Sequence, residues 1–370
     1  MTAAPHSPSE SMPTAQRVAF LRSPAAYHDH VVREVETRET RMSWVFLAGE
    51  RVYKLKKPIR DRWLDFTTLA ARERNAHEEV RLNRRLAANV YLATARLTVE
   101  ASGALALDGS GETIDWLVVM RRLPAEQMLD QALAVGRVSP GAIDRVASLL
   151  ADFYRRLDPV ERSVDEHIQR FAEEQAVNRT ILTDAHAGLA PEEVTPILDT
   201  LETFLAEATD LLAERVRGGH IIEGHGDLRA EHVCLEDPPV VIDCLEFNRE
   251  LRLVDPFDEL ADLALDCNRL GASWIGDVLR ERCATTLGDT PPEQLPSFYT
   301  ASRACLRARL AVRHLLDPQG RTPAKWLPLA REYLAIANAA RLRLMDPPAD
   351  RPANRSRGSD GSPPRTAGRH

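Results

Sequence analysis

Residues 225–243, HGDLRAEHVCLEDPPVVID, decide the reading of this chain. They read as a loop, a short strand, a tight turn at Pro238-Pro239 and a second strand ending in an acid. Asp227 follows a Gly218-Gly219 break and the apolar pair Ile221-Ile222, and Asp243 follows the β-branched run Val240-Val241-Ile242. A single Asp in a polar loop is usually a cap or turn residue. A second acid, delivered by a hairpin to the same place, is what suggests chemistry. Phosphoryl transfer needs such a pair, one carboxylate to orient a hydroxyl and one to hold Mg²⁺ on nucleotide phosphates.

Working outward, 370 residues suffice for two domains or one bilobal unit. With 44% hydrophobic and 28% charged residues, the chain can bury a core. A net charge of −7 argues against a large nucleic-acid footprint. Five cysteines with no CxxC spacing, and no apolar leader at the N-terminus, point to reduced thiols in a cytoplasmic protein. No stretch is apolar enough for a membrane span.

Residues 1–16 are Ser/Pro/Ala-rich and are expected to be disordered, as is the Pro/Gly/Arg/Ser-rich tail 346–370. Between them the character changes near residue 123. Strands are expected over 31–37, 43–48, 51–56, 93–100 and 113–120, with a hairpin turn at Gly49-Glu50 and a helix over 67–87. This gives an α+β chain: a five-stranded small lobe with one helix (17–122), then a mainly helical lobe (123–345). In the helical lobe, Ile143, Val146, Leu149, Leu150, Phe153 and Leu157 form one apolar stripe. A second helix is expected over 191–217, ending at Gly218-Gly219. Asp255-Pro256 reads as a helix start running to about residue 270. Further helices are expected over 296–316 and 324–344.

A small sheet with one helix, followed by a helical lobe carrying one catalytic hairpin, resembles the protein-kinase-like fold. The HGDL loop and the Ile-Asp at 242–243 are similar to the aminoglycoside-phosphotransferase branch. The segments ETRMSWVFLAGERVYKLKKP, EEVRLNRRL, HGDLRAEHV and IDCLEFN resemble a bacterial group of phosphotransferase-like domains often fused to a P-loop ATPase. The chain contains no GxxxxGKS/T, so only the kinase-like part is expected.

The resemblance implies an ATP- (or GTP-) dependent enzyme that phosphorylates a small-molecule hydroxyl with Mg²⁺. Asp227 matches the catalytic aspartate and Asp243 the metal-binding acid. Where the HxDxxxxN pattern puts a metal-binding Asn, this chain has His232, which is expected either to bind the metal with Asp243, though softer than Mg²⁺ prefers, or to contact a phosphate and leave the metal to Glu231, Glu246 or Asn248. Lys54 matches the strand lysine that grips phosphates and Glu79 its helix partner; Lys56 and Glu78 remain open as alternatives. Ser43, in the loop 40–43, and Met120, at the hinge 120–123, are expected to meet the nucleotide. His225 is expected to orient the loop, and Asp258 to be structural. Arg303, Arg307, Arg309 and Arg313 share one helical surface, read as a solvated basic face, with an anionic substrate group as the other possibility. The acids Glu246, Glu250, Asp258, Glu259 and Asp262 could serve a polycationic acceptor, but nothing in the sequence singles them out from ordinary helix-face charge. The alternative to an enzyme is a pseudokinase-like nucleotide-binding module serving a separately encoded P-loop ATPase.

Overall fold

The computed structural model describes residues 12–61, 63–316 and 322–346. The expected tail, apart from Asp346, and residues 1–11 of the expected loose N-terminus lie outside the described residues. Helix α1, Thr14–Leu21, begins inside the stretch expected to be loose. It is ordered because Val18 and Leu21 bury against the sheet and Arg17 pairs with the buried Asp115 at 2.8 Å.

The small lobe is one antiparallel sheet with strand order β1-β2-β3-β6-β4-β5. Its strands are β1 Val35–Glu39, β2 Ser43–Ala48, β3 Arg51–Lys56, β4 Tyr91–Val99, β5 Leu105–Leu107 and β6 Glu112–Arg121. The sheet has six strands rather than five; β5 is a three-residue edge strand too short to show a periodicity. The first strand starts later than expected because Val31 is exposed outside the sheet. Helix α2, Leu69–Ala87, is capped by Thr68 and lies on the opposite face from α1. Alternation along β3 therefore sorts side chains cleanly. Tyr53 and Leu55 pack in the core shared with α1, while Lys54 and Lys56 point toward α2.

The helical lobe holds α3 Leu129–Ala134, α4 Pro140–Arg155, α5 Val164–Leu182, α6 Pro191–Glu207, α7 Thr209–Arg217, α8 Pro256–Arg269, α9 Trp274–Leu287, α10 Gln294–Leu316 and α11 Pro323–Met345. Asp255 caps α8 as expected, accepting from the Phe257 N–H. The single helix expected over 191–217 is two, α6 and α7, broken at Ala208. Helices α3, α5 and α9 fall outside the expected elements. The charged surface of α5 hides a narrow buried face (Phe171, Gln175, Asn178, Leu182), although the Ser163–Glu166 capping box marks its start.

Two short strand pairs interrupt this lobe among the described residues: β7 Ile222–Glu223 with β10 Leu253–Val254, and β8 Val233–Cys234 with β9 Val240–Val241, the expected hairpin. Its turn contains a cis Asp237–Pro238 bond. Cys234 and Val240 pack with Val80, Tyr91, Val118 and Met120, so the hairpin is buried against the small lobe.

Candidate active site

The cleft between the lobes is a cavity of about 1340 Å³. Lys54, Asp227, His232, Asp243, Ser43 and Met120 all line it. The sequence-expected residues are thus brought together, and their contacts separate several alternatives.

Glu79 is fully buried and sits between two lysines, with Lys54 Nζ 2.8 Å from its Oε1 and Lys56 Nζ 2.7 Å from its Oε2. Lys54 also reaches Asp243 Oδ1 at 2.6 Å, whereas Lys56 reaches Glu246. Glu78, the register neighbour, turns outward to Arg81. Lys54 and Glu79 therefore form the pair that touches Asp243.

The electrostatics follow from these contacts. Desolvation in the cleft raises the Asp243 carboxyl, but Lys54 and His232 outweigh it and hold the group far below its ordinary value. Burial also works against charge on Lys54 and Glu79. Asp243 and Glu79 nevertheless keep the Lys54 ammonium well above its usual range, and the two lysines keep Glu79 below its own. Glu246 ends up raised, because burial exceeds the pull of Lys56.

Asp243 sits just past β9 with φ 61°, in the left-handed region where a non-glycine residue is uncommon. Polar bonds from the small lobe hold it there. The Asp243 N–H donates to the Tyr91 hydroxyl (3.0 Å) and the Cys244 N–H to Asn83 Oδ1 (2.8 Å). Arg85, further along α2, donates to the carbonyls of Glu223 and Gly224, both at 2.7 Å.

The loop carrying Asp227 is fixed from below by the buried Glu259. Its Oε1 accepts from the His225 and Gly226 N–H groups at 2.8 and 2.6 Å, and its Oε2 accepts from Tyr154. His225 is a spacer between this loop and the hairpin. Its Nε2 lies 2.9 Å from the Ile242 carbonyl, which can only accept, so Nε2 carries the proton. Its Nδ1 accepts from the Asp227 N–H. Burial lowers its pKa to about 4, so the ring is neutral at ordinary pH. Gly226 has φ 87°, and a Cβ there would lie 2.9 Å from Arg252 Cγ.

By the same logic His232 Nδ1 donates to the Asp227 carbonyl at 2.8 Å. Its Nε2 faces Asp243 Oδ2 at 3.7 Å. Asp227 Oδ1 accepts from Arg307 Nη2 at 2.7 Å. Burial raises the Asp227 carboxyl, but Arg307, His232 and Arg229 together bring it down to about 2.

Arg307 is among the residues that sequence reasoning misplaced. The expected solvated basic face of α10 is largely buried against an acidic stripe on α8. Arg303 binds Asp258 at 2.7 Å and Arg307 binds Asp262 at 2.7 Å; Arg170 from α5 adds a second contact to Asp258 at 3.1 Å. Glu246, Asp258, Glu259 and Asp262 are likewise buried, not ordinary surface charge. Acids at 258, 262 and 266 facing arginines at 303 and 307 share one four-residue spacing, a complementary signal visible only once the two helices are known to be neighbours.

A small antiparallel sheet flanked by α1 and α2, a helical lobe and a cleft built this way define a bilobal, protein-kinase-like fold. Residues 48–296 match the model of the phosphotransferase enzyme family, and the chain belongs to that family. It is 34% identical over 301 residues to the uncharacterized protein Rv2004c of Mycobacterium tuberculosis and, equally, to Mb2027c of Mycobacterium bovis. Each alignment covers 76% of this chain and 58% of the relative, so the chain spans less than two thirds of these relatives' length. Among solved structures it is similar to a choline/ethanolamine kinase family protein from Mesorhizobium loti (15% identity, 90% of this chain and 95% of that one, TM-score 0.48). It is also similar to a thermostable mutant of aminoglycoside phosphotransferase APH(4)-Ia in ternary complex with AMP-PNP and hygromycin B (13% identity, 84% and 94%, TM-score 0.47).

Proposed function

We propose that this chain transfers the γ-phosphoryl group of ATP (or GTP) to a hydroxyl of a small molecule. The observation that carries the reading is the contact of Lys54 with both Glu79 and Asp243, while His232 lies between Asp243 and Asp227. In this reading Lys54 grips nucleotide phosphates and Glu79 holds its ammonium in place. The base would lie against the apolar side chains Val52, Met120, Leu123 and Ile242, and Ser43 lines the same cleft.

The donors suit Mg²⁺, a hard ion that takes one or two carboxylates and draws its other ligands from phosphate and water. Asp243, 43% exposed to the cleft, would hold it, and the ion would neutralise charge on the phosphates. His232 spends Nδ1 on the Asp227 carbonyl. With hard carboxylate oxygen beside it, it fits better as the tether of the loop, its Nε2 turned toward Asp243 Oδ2, than as a principal metal ligand.

Asp227 accepts the hydrogen bond of the acceptor hydroxyl. The hydroxyl oxygen forms a bond to the γ-phosphorus, the bond from that phosphorus to the β–γ bridging oxygen breaks, and the nucleoside diphosphate leaves. With a pKa of about 2, Asp227 is a weak base. Its contribution is orientation; the hydroxyl proton moves late, as a loose transition state allows, passing to the Asp227 carboxylate and from there to solvent. Five buried free cysteines agree with a reducing, cytoplasmic setting. Among the described residues no helix is long and apolar enough to cross a membrane.

The test is calorimetric titration of ATP with Mg²⁺ into wild type and Asp243→Ala, followed by γ-phosphate transfer to a panel of sugars, amino alcohols and hydroxy acids. Mg²⁺-dependent binding, at least tenfold weaker in the variant, together with a labelled acceptor is the expected result. Binding without transfer to any acceptor favours the nucleotide-binding module that serves a separate P-loop ATPase, the reading motivated by His232. No nucleotide binding refutes both.

A further inference from the structure

The acceptor half of the cleft lies beyond Asp227, between α5 and α10. Its acids are already spent. Asp258 is taken by Arg303 and Arg170, Asp262 by Arg307, and Glu174 by a single contact with Arg309 Nη2 at 2.7 Å. The unspent capacity is cationic. Arg309 is 7% exposed and lines the cavity, yet its Nε and Nη1 have no hydrogen-bond partner. A buried guanidinium with two unsatisfied donors is costly, since each orphaned buried polar group forfeits its hydration. Arg313 lies one helical turn on, also lining the cavity, and repels Arg309. Two like charges one turn apart on the wall of a cavity, the inner one buried with two unpartnered N–H groups, make a seat for an anion that would bridge them.

We propose that the acceptor is a hydroxyl compound bearing an anionic group, carboxylate or phosphate, which binds Arg309 and Arg313 while its hydroxyl meets Asp227. The inference rests on the phosphotransferase reading for the hydroxyl, but the anion seat stands on its own contacts. Arg309 is two residues beyond Arg307, which holds Asp227, so it lies only ~3 Å further along the axis but about 200° around the helix, on the side of Glu174. The anion and the hydroxyl therefore belong at separate ends of one molecule that reaches across the face of α10. A polycationic acceptor does not suit this half of the cleft, because no acid there is free of an arginine.

The experiment uses the full chain saturated with AMP-PNP and Mg²⁺, so that the nucleotide site is filled. Inorganic phosphate, glucuronate, glucose 6-phosphate, glucose and glucosamine are titrated calorimetrically into wild type, Arg309→Gln and Glu174→Gln. Anions are expected to bind wild type at least tenfold more tightly than glucose or glucosamine, and to weaken at least tenfold in Arg309→Gln. They are expected to strengthen in Glu174→Gln, where Arg309 loses its one internal partner; a gain cannot come from misfolding. Phosphate above glucuronate assigns a phosphoester, and the reverse order a carboxylate. Equal binding of anions to wild type and Arg309→Gln overturns the proposal, as does tighter binding of glucosamine than of any anion. If AMP-PNP itself fails to bind, the phosphotransferase reading falls, and the anion titrations, repeated without nucleotide, still decide the seat.

Discussion

Removing Arg307 should release the Asp227 carboxyl from its depressed pKa. Arg307 Nη2 lies 2.7 Å from Asp227 Oδ1, so the charge centres are ~4 Å apart. At an effective dielectric of ~20 that attraction is worth ~4 kcal/mol. The Asp227 side chain is 32% exposed, and discounting by about half for solvent screening leaves ~2 kcal/mol, or ~1.5 pH units. In Arg307→Gln the carboxyl is therefore expected to rise from about 2 to roughly 3.5 or above, since burial then acts with less opposition. The consequence for stability has a definite sign. The folded value lies below the ~3.9 of an unfolded chain, so ionised Asp227 stabilises the fold above pH ~4, and the contribution is lost as pH falls toward 2. The variant loses most of that pH-dependent stability. The assay is a carboxyl ¹³C NMR titration of aspartate-labelled protein over the acid range in which each form stays folded, with Asp227→Asn to assign the resonance. Midpoints of wild type and variant agreeing within ~0.3 unit would refute the assignment of Arg307 as the group holding Asp227 ionised.

Two further predictions concern the scaffold. Gly226→Ala combines a positive φ with a Cβ 2.9 Å from Arg252 Cγ, and should cost ~2 kcal/mol, read as a lower urea midpoint with an unchanged slope. An unchanged midpoint would mean that the loop relaxes freely. Arg17→Ala removes one of two arginines from the buried Asp115 but leaves Arg72 at 2.7 Å, so a loss of ~1–2 kcal/mol is expected, together with early proteolysis near residue 22. Cleavage no faster than in wild type would show that α1 is held by its apolar contacts alone.

What could be read in advance followed the strength of local patterning. β2 and β3 were legible to the residue because apolar alternation and the Gly49-Glu50 turn constrain each other. The pairing of Asp227 with Asp243 was legible because a hairpin has few ways to close. β5, with three residues, and α9, with a weak apolar stripe, carry too little periodic signal. Lys54 and Lys56 could not be separated on one strand face; only the positions of Asp243 and Glu246 across the cleft distinguish them. The buried arginines were misread because composition favours placing such charges in water. Their burial is affordable only through partners 45 residues away in the chain, as for Arg307 with Asp262.

Helix α2 bonds to three separate parts of the site: Glu79 to the strand lysines, Asn83 to the hairpin exit at Cys244, and Arg85 to the backbone before the HGD loop. It acts as a strut shared by both lobes. Swinging it outward would break all three attachments at once and strand the buried Glu79 without a counter-charge. Displacing this helix is therefore a costly way to open the site, because the strand lysines, the hairpin exit and the HGD loop share one support.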